Sequence, residues 1–302
     1  MKKCFQSLKR SKDKKDKSRS IGKLSKFENL LNKLIKKSPT ISINISKNAY
    51  NKKAILIGLN YFGSHFQLKG CINDIKNGAE YLKKHNYDVK LLTDKDVSKK
   101  YNVLEALNEL KQSENKIVFF HYSGHGSQTV DLDKDEEDGY DEVVYSNGDV
   151  RVTDDQINDL LKTFPEDKTV FLVFDCCHSG NITDLPFTLG DVDNDAKSDK
   201  MKEESSKKLL DAKILCIGGC RDSQTSADVS NGGISYGALS ASLYSILRKR
   251  EDIQSRYPKN DLRITWRQLY DELLSDMRIK GYSQVPSISA SDPQLFDTLI
   301  DF

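Results

Sequence analysis

Long hydrophobic runs are what this 302-residue chain lacks first. No stretch approaches the ~18 consecutive apolar residues of a membrane-spanning helix, so no span is expected. The opening segment, MKKCFQSLKRSKDKK, is positive but has no apolar stretch behind it, and does not read as a secretory leader. Cysteine is scarce too. Cys4, Cys71, Cys176, Cys177, Cys216 and Cys220 are too few and too unevenly placed for a disulfide framework in a chain of this length, and the adjacent Cys176 and Cys177 are poor partners for each other. The expectation is a reducing, cytoplasmic setting in which a special cysteine is chemical rather than structural. Net charge is nearly absent as well, at +2, but the total hides an asymmetry. Residues 1–50 hold 15 Lys and Arg against 3 acidic residues, and residues 51–302 hold 32 against 42. A basic head is joined to an acidic body.

The head, residues 1–50, reads as a pro-segment, partly disordered because few apolar side chains stand among its Lys, Ser and Asp. A short amphipathic helix is expected over Phe27–Ile35 and an edge strand over Ile41–Ile45. No aromatic residues interleave with the cations to stack bases, so nucleic acid is not the expected partner. A solvated or self-docking pro-segment is the reading preferred over a nucleic-acid or lipid contact, and docking would lay its cations across an acidic cleft in the body.

From Lys53 onward strand and helix alternate. Ala54–Gly58, Val89–Leu92, Ile117–Tyr122, Thr169–Phe174 and Lys213–Gly218 are short apolar runs suited to buried parallel strands. Helices are expected over 71–85, 103–111, 157–163 and 237–249. This alternation predicts an α/β fold, a mostly parallel central sheet with helices on both faces, with reactive groups at the carboxyl ends of the strands. Two charged inserts interrupt it, an acidic loop at 131–141 and a flexible insert at about 191–208.

Two of the strands run into unusual polar clusters. The third ends in Tyr122-Ser123-Gly124-His125-Gly126, the fourth in Asp175-Cys176-Cys177-His178-Ser179-Gly180. A thiol nucleophile needs a nearby imidazole to raise its thiolate fraction and to protonate the leaving amine. His125 and Cys177, 52 positions apart, could meet across neighbouring strand ends, and the backbone N–H groups of Gly126 and Cys177 could stabilise an oxyanion. A lone strand-end Cys is usually a small buried hydrophobe. Here both residues stand in Gly/Ser-rich turns at matching strand ends, and the catalytic reading prevails.

These residues resemble the two signature segments of the metacaspases, a branch of the caspase-like fold. The resemblance covers about residues 53–300 and includes Leu68–Asp74, Gly219–Asp228 and Gln284–Ser289. Five matches in order are far more specific than one short motif. The spacing of His and Cys agrees with that of caspases, but the caspase Gln-Ala-Cys is missing, so a true caspase is excluded. The resemblance assigns the nucleophile to Cys177 and the base to His125 rather than His178. It also implies a pocket for Arg or Lys before the scissile bond, formed by Cys71, Asp74, Ser123 and Asp175. Calcium is implied as cofactor, with ligands Asp141, Asp154, Asp155 and Asp184; hard oxygen donors suit Ca²⁺ better than Zn²⁺. The expected partners are proteins or peptides with Lys or Arg before the cut, and the expected state is a monomer. Lys197, Lys200, Lys202, Lys207 and Lys208 of the insert offer sites for self-processing, with a plain solvated linker as the equal alternative. The rival readings are a catalytically silent scaffold on the same fold, an adaptor acting through the basic head, and another caspase-like peptidase with a different pocket.

Overall fold

The computed structural model describes residues 51–130, 140–147, 150–189, 201–203, 210–219, 228–231, 234–282 and 284–301. The readings of residues 1–50, of the acidic loop at 131–139 and of most of the 191–208 insert fall outside them. In chain order the first strands and helices are β1 (Lys52–Gly58), α1 (Cys71–Lys84), β2 (Tyr87–Thr93), α2 (Val103–Gln112) and β3 (Ile117–Ser123). Then come β4 (Gly126–Val130), β5 (Tyr140–Asn147), β6 (Val150–Thr153), α3 (Asp154–Leu161) and β7 (Thr169–Asp175). The remainder comprises β8 (Phe187–Leu189), β9 (Met201–Glu203), β10 (Lys213–Gly218), β11 (Asp228–Asn231), β12 (Ile234–Gly237), α4 (Ala238–Arg256), α5 (Trp266–Ile279) and β13 (Ser287–Ala290).

Eight strands form one sheet in the order β2-β1-β3-β7-β10-β13-β8-β9. The first five are mutually parallel, and β13 is antiparallel to both β10 and β8. Because successive side chains of a strand face opposite ways, each buried strand feeds two cores. Ala54, Leu56, Phe119 and Val173 pack with Ile75 and Leu82 of α1, Leu243 of α4 and Leu269 of α5. Their neighbours Ile55, Ile57, Phe120 and Leu172 pack on the other face with Leu107 of α2 and Ile157 of α3. The result is three layers, α/β/α, as the continuous apolar runs predicted.

Among the described residues, three of the five α-helices begin on a reciprocal capping box, in which a side chain before the helix accepts from the N3 amide and the N3 side chain reaches back. The pairs are Asn102 with Glu105, Thr153 with Gln156 and Thr265 with Gln268. The cap at Thr153 starts α3 at Asp154, three residues earlier than its apolar spacing suggested. The 191–208 insert, read as flexible throughout, needs a correction at 201–203. Those residues form β9, pairing Met201 with Leu189 and Glu203 with Phe187. A three-residue strand at the sheet edge has too short an alternation to be seen in sequence, and the neighbouring strand imposes it.

His121 lies in β3, wholly buried, with Nε2 3.1 Å from Ser240 Oγ and Nδ1 3.1 Å from Tyr244 Oη of α4. Burial pushes its pKa down to about 3 from 6.5. A histidine that binds its proton more weakly when folded adds stability that is fully present above about 6.5 and is lost as pH falls toward about 3. Urea midpoints of wild type should therefore fall steeply on going from neutral pH to about pH 5, and His121→Gln should flatten that limb. An unchanged limb would assign the acid lability to other groups.

Candidate active site

The pairing of β3 with β7 sets the geometry. It runs without a slip from Ile117 opposite Thr169 to Ser123 opposite Asp175. The offset of 52 is also the separation of His125 from Cys177, so each residue lies two positions beyond the last pair on adjacent parallel strands. The Gly124 N–H still reaches the Asp175 carbonyl at 3.4 Å, which keeps the two chains together as they leave the sheet. Gly126 then lies against the backbone of Cys177, so closely that a Cβ would collide with the Cys177 carbonyl oxygen. His125 and Cys177 are half-buried, whereas Cys176 is wholly buried in the core beside them. Opposite fates for adjacent cysteines agree with a chain leaving a strand.

The imidazole of His125 is oriented from two sides. Its Nε2 is 2.6 Å from the carbonyl oxygen of Phe66, and the ring of Tyr61 lies over it at a centroid distance of 4.8 Å. A carbonyl can only accept, so Nε2 carries the hydrogen and Nδ1 is the basic nitrogen of the neutral ring. The Cys177 loop is anchored to β10. Ser179 Oγ donates to the Cys176 carbonyl at 3.0 Å and accepts from the Gly219 N–H at 2.8 Å. His178 adopts φ 52°, a left-handed turn immediately after the thiol.

Below these loops the two acidic residues meet. Asp74 of α1 accepts from Ser123 Oγ at 2.7 Å, and both its oxygens lie within 3.0 Å of the Gly237 N–H. Asp175 accepts from the Ser240 N–H at 2.8 Å. The amino end of α4 thus presents backbone donors, at the positive pole of its dipole, to both carboxylates. Asp74, Asp175, Ser123 and Cys71 are all buried, Asp74 completely. Ser123 links the two acids, paired with Asp175 across the strands and bonded to Asp74, and Cys71 lies one helical turn before Asp74, but the carboxylates are covered more fully than in a half-buried pocket. A second acidic cluster joins β5 to α3. Ligand oxygens of Asp141, Asp154 and Asp155 all lie within 4.8 Å of one another. Asp184 stands close enough that, after burial, its charge is the next cause raising the Asp154 pKa to about 7.

Three contributors escaped sequence reasoning. Gly237 and Ser240 hold the carboxylates through backbone amides, for which no side-chain pattern exists. Asn158 of α3 donates to the carbonyls of Thr183 and Asp184 at 2.8 and 3.1 Å, fixing the left-handed turn at Asp184. Its place one turn after Asp154 and Asp155 was the available signal.

Comparison with solved structures defines the class. A Geobacter sulfurreducens protein superposes with TM-score 0.56 at 23% identity, covering 82% of this chain and 97% of that one. Caspase-1 from Spodoptera frugiperda gives 0.52 at 14% identity, covering 80% and 86%. The fold is caspase-like. Residues 52–186 match the family described as metacaspase, peptidase C14 domain. Metacaspase-1A of Aspergillus terreus is 33% identical over 301 residues, covering 80% of this chain and 71% of that protein. Metacaspase-1 of Cryptococcus neoformans is 33% identical over 311 residues, covering 83% of this chain and 64% of that relative's length. The chain belongs to the metacaspase family of cysteine peptidases. No helix among the described residues is long and apolar enough to cross a membrane.

Proposed function

We propose that the chain is a calcium-dependent cysteine endopeptidase that cleaves after Arg or Lys, with His125 and Cys177 as its catalytic pair. The observation that carries the reading is the unbroken β3–β7 register, which ends on Ser123 opposite Asp175, two residues before His125 on one strand and two before Cys177 on the other. Nδ1 of His125 takes the Cys177 proton, and the thiolate attacks the scissile carbonyl carbon. The N–H groups of Gly126 and Cys177 receive the charge that develops on the carbonyl oxygen. The imidazolium protonates the leaving amine, and water then hydrolyses the thioester with His125 again as base.

Asp74 and Asp175 are the groups to meet a guanidinium or ammonium through charge-assisted hydrogen bonds. Ionised carboxylates have about four lone-pair sites each, so the bonds from Gly237, Ser240 and Ser123 orient them without exhausting them. Entry of a long basic side chain requires β12 and the start of α4 to shift, because that segment covers both acids. The acidic cluster fits calcium: all-carboxylate donors are the hard ligands it takes, and a span of 4.8 Å suits oxygens about 2.4 Å from one ion. Burial first and the charge of Asp184 second push the Asp154 pKa up, and a bound cation would offset both. Asp141, Asp154, Asp155 and Asp184 would hold the ion, and its charge would tie β5, α3 and the Asp184 turn together. Processing within 191–208, of which only 201–203 are described, belongs to the same reading.

A panel of fluorogenic peptides differing only before the cut tests it. Arg and Lys peptides should be hydrolysed with calcium, an Asp peptide should not, and chelation should remove the activity. Full activity in chelator removes calcium from the reading; Asp-directed cleavage removes the acidic pocket.

A further inference from the structure

Two buried tyrosines, neither needed for the chemistry, converge on the peptide groups of His125. Tyr61 lies in the loop after β1 and Tyr122 in β3; their hydroxyls are 2.9 Å apart. The His125 N–H donates to Tyr61 Oη at 3.1 Å, and Tyr122 Oη donates to the His125 carbonyl at 2.8 Å. Each hydroxyl is also within 2.8 Å of the Tyr145 carbonyl in β5, at 2.7 Å for Tyr61, and the Tyr145 N–H returns a bond to the His125 carbonyl at 3.1 Å. The space for this pair is made by Gly124, whose Cβ would lie 2.8 Å from Tyr61 Oη and collide with Tyr122 Oη. Burial raises both phenols above their ordinary value of 10, so the hydroxyls keep their hydrogens throughout the neutral range.

We infer that Tyr61 and Tyr122 are positioning residues for His125: their hydroxyls lock its backbone on both sides, the Tyr61 ring bears on its imidazole, and both tie it to β5. The inference rests on the reading of His125 as the base for Cys177. Without the hydroxyls, the His125 peptide keeps the bond from the Tyr145 N–H but loses its ties to Tyr61 and Tyr122, and its imidazole is left to the Phe66 carbonyl and the rings of Tyr61 and Phe66. A thiol–imidazole pair tolerates little such freedom, since misplacement of about 1 Å costs about a hundredfold in rate. The link to β5 has a further consequence. Asp141 lies on the same strand, four residues before Tyr145, so movement of β5 reaches His125 through a hydrogen-bonded path of one residue.

The test compares wild type, Tyr61→Phe, Tyr122→Phe and the double variant, each checked for folding by thermal melting. Two readouts are needed: steady-state kinetics on an Arg peptide, and the pH dependence of Cys177 alkylation by iodoacetamide. The expected result is a kcat lowered about tenfold to a hundredfold with KM within about twofold. The alkylation limb should move upward toward the ordinary thiol pKa of about 8.5. The double variant should lose less than the product of the single losses, because the hydroxyls serve one peptide unit. A purely structural role would lower the melting temperature and leave the alkylation limb in place; that result overturns the inference, as does an unchanged kcat in both single variants. Failure of the underlying reading looks different: wild type itself would show an ordinary thiol limb, and His125→Ala would not alter it.

Discussion

Replacing Cys177 by alanine should remove hydrolysis of Arg and Lys peptides by at least about 10,000-fold in kcat, to the limit of detection in an initial-rate assay. His125→Ala should cost nearly as much, and the double variant little more than either, because nucleophile and base act as one unit. Cys177 is half-buried and outside the core clusters, so its truncation should change stability by no more than about 1 kcal/mol. Cys176→Ala is the informative contrast. That residue is wholly buried in the core that holds Phe174, with its sulfur near Gly126, so its loss should lower the melting temperature while the remaining folded enzyme still turns over. Alkylation distinguishes the two members of the proposed pair further: His125→Ala keeps the thiol, but it should react slowly at neutral pH because the imidazole proposed to stabilise the thiolate is gone. Hydrolysis surviving in Cys177→Ala would sink the peptidase assignment of this residue, whatever the fold.

Much of this geometry was legible in the sequence for a definite reason. A parallel strand buried on both faces is continuously apolar, so Ala54–Gly58, Ile117–Tyr122 and Thr169–Phe174 announced themselves, and the polar turns that follow marked the reactive edge. The elements that stayed hidden depend on neighbours. Strand β4 (GSQTV) has no apolar alternation; it exists because Gly126–Val130 pairs with β5, whose Val143 and Val144 are buried. Strand β13 runs SISA, four small or aliphatic residues paired antiparallel with β10, too short for periodicity to declare it. Helix α5 is a different case, since Trp266, Leu269, Tyr270, Leu273, Leu274 and Met277 follow helical spacing and are all buried. Nothing physical concealed it. In the candidate site, acidic side chains were readable and backbone donors were not: Asp74 and Asp175 could be named from the sequence, whereas the Gly237 and Ser240 amides that hold them required coordinates.

Those amides lead to the second large effect. Gly237 has ordinary torsions, φ −70° and ψ 141°, so an alanine there meets no conformational penalty. The cost is one of space: its Cβ would collide with the Asp175 carboxylate, while the Gly237 N–H is bonded to both oxygens of Asp74. Gly237→Ala must therefore displace Asp175, withdraw the amide from Asp74, or lift the first turn of α4. Each outcome separates the two carboxylates that would grip a basic side chain. We expect kcat/KM for Arg and Lys peptides to fall at least about a hundredfold, with much of the loss in KM. The alkylation rate of Cys177 should stay close to wild type, because the new methyl meets only the side chain of Asp175 and not the backbone that pairs it with Ser123. Asp74→Asn separates charge from shape: it retains an acceptor toward Ser123 or Gly237 but lacks the negative charge, and should weaken binding of both basic substrates. Normal kinetics in Gly237→Ala would mean that the acids held by the α4 amino end do not receive the substrate side chain, and the selectivity for Arg and Lys would have to reside elsewhere.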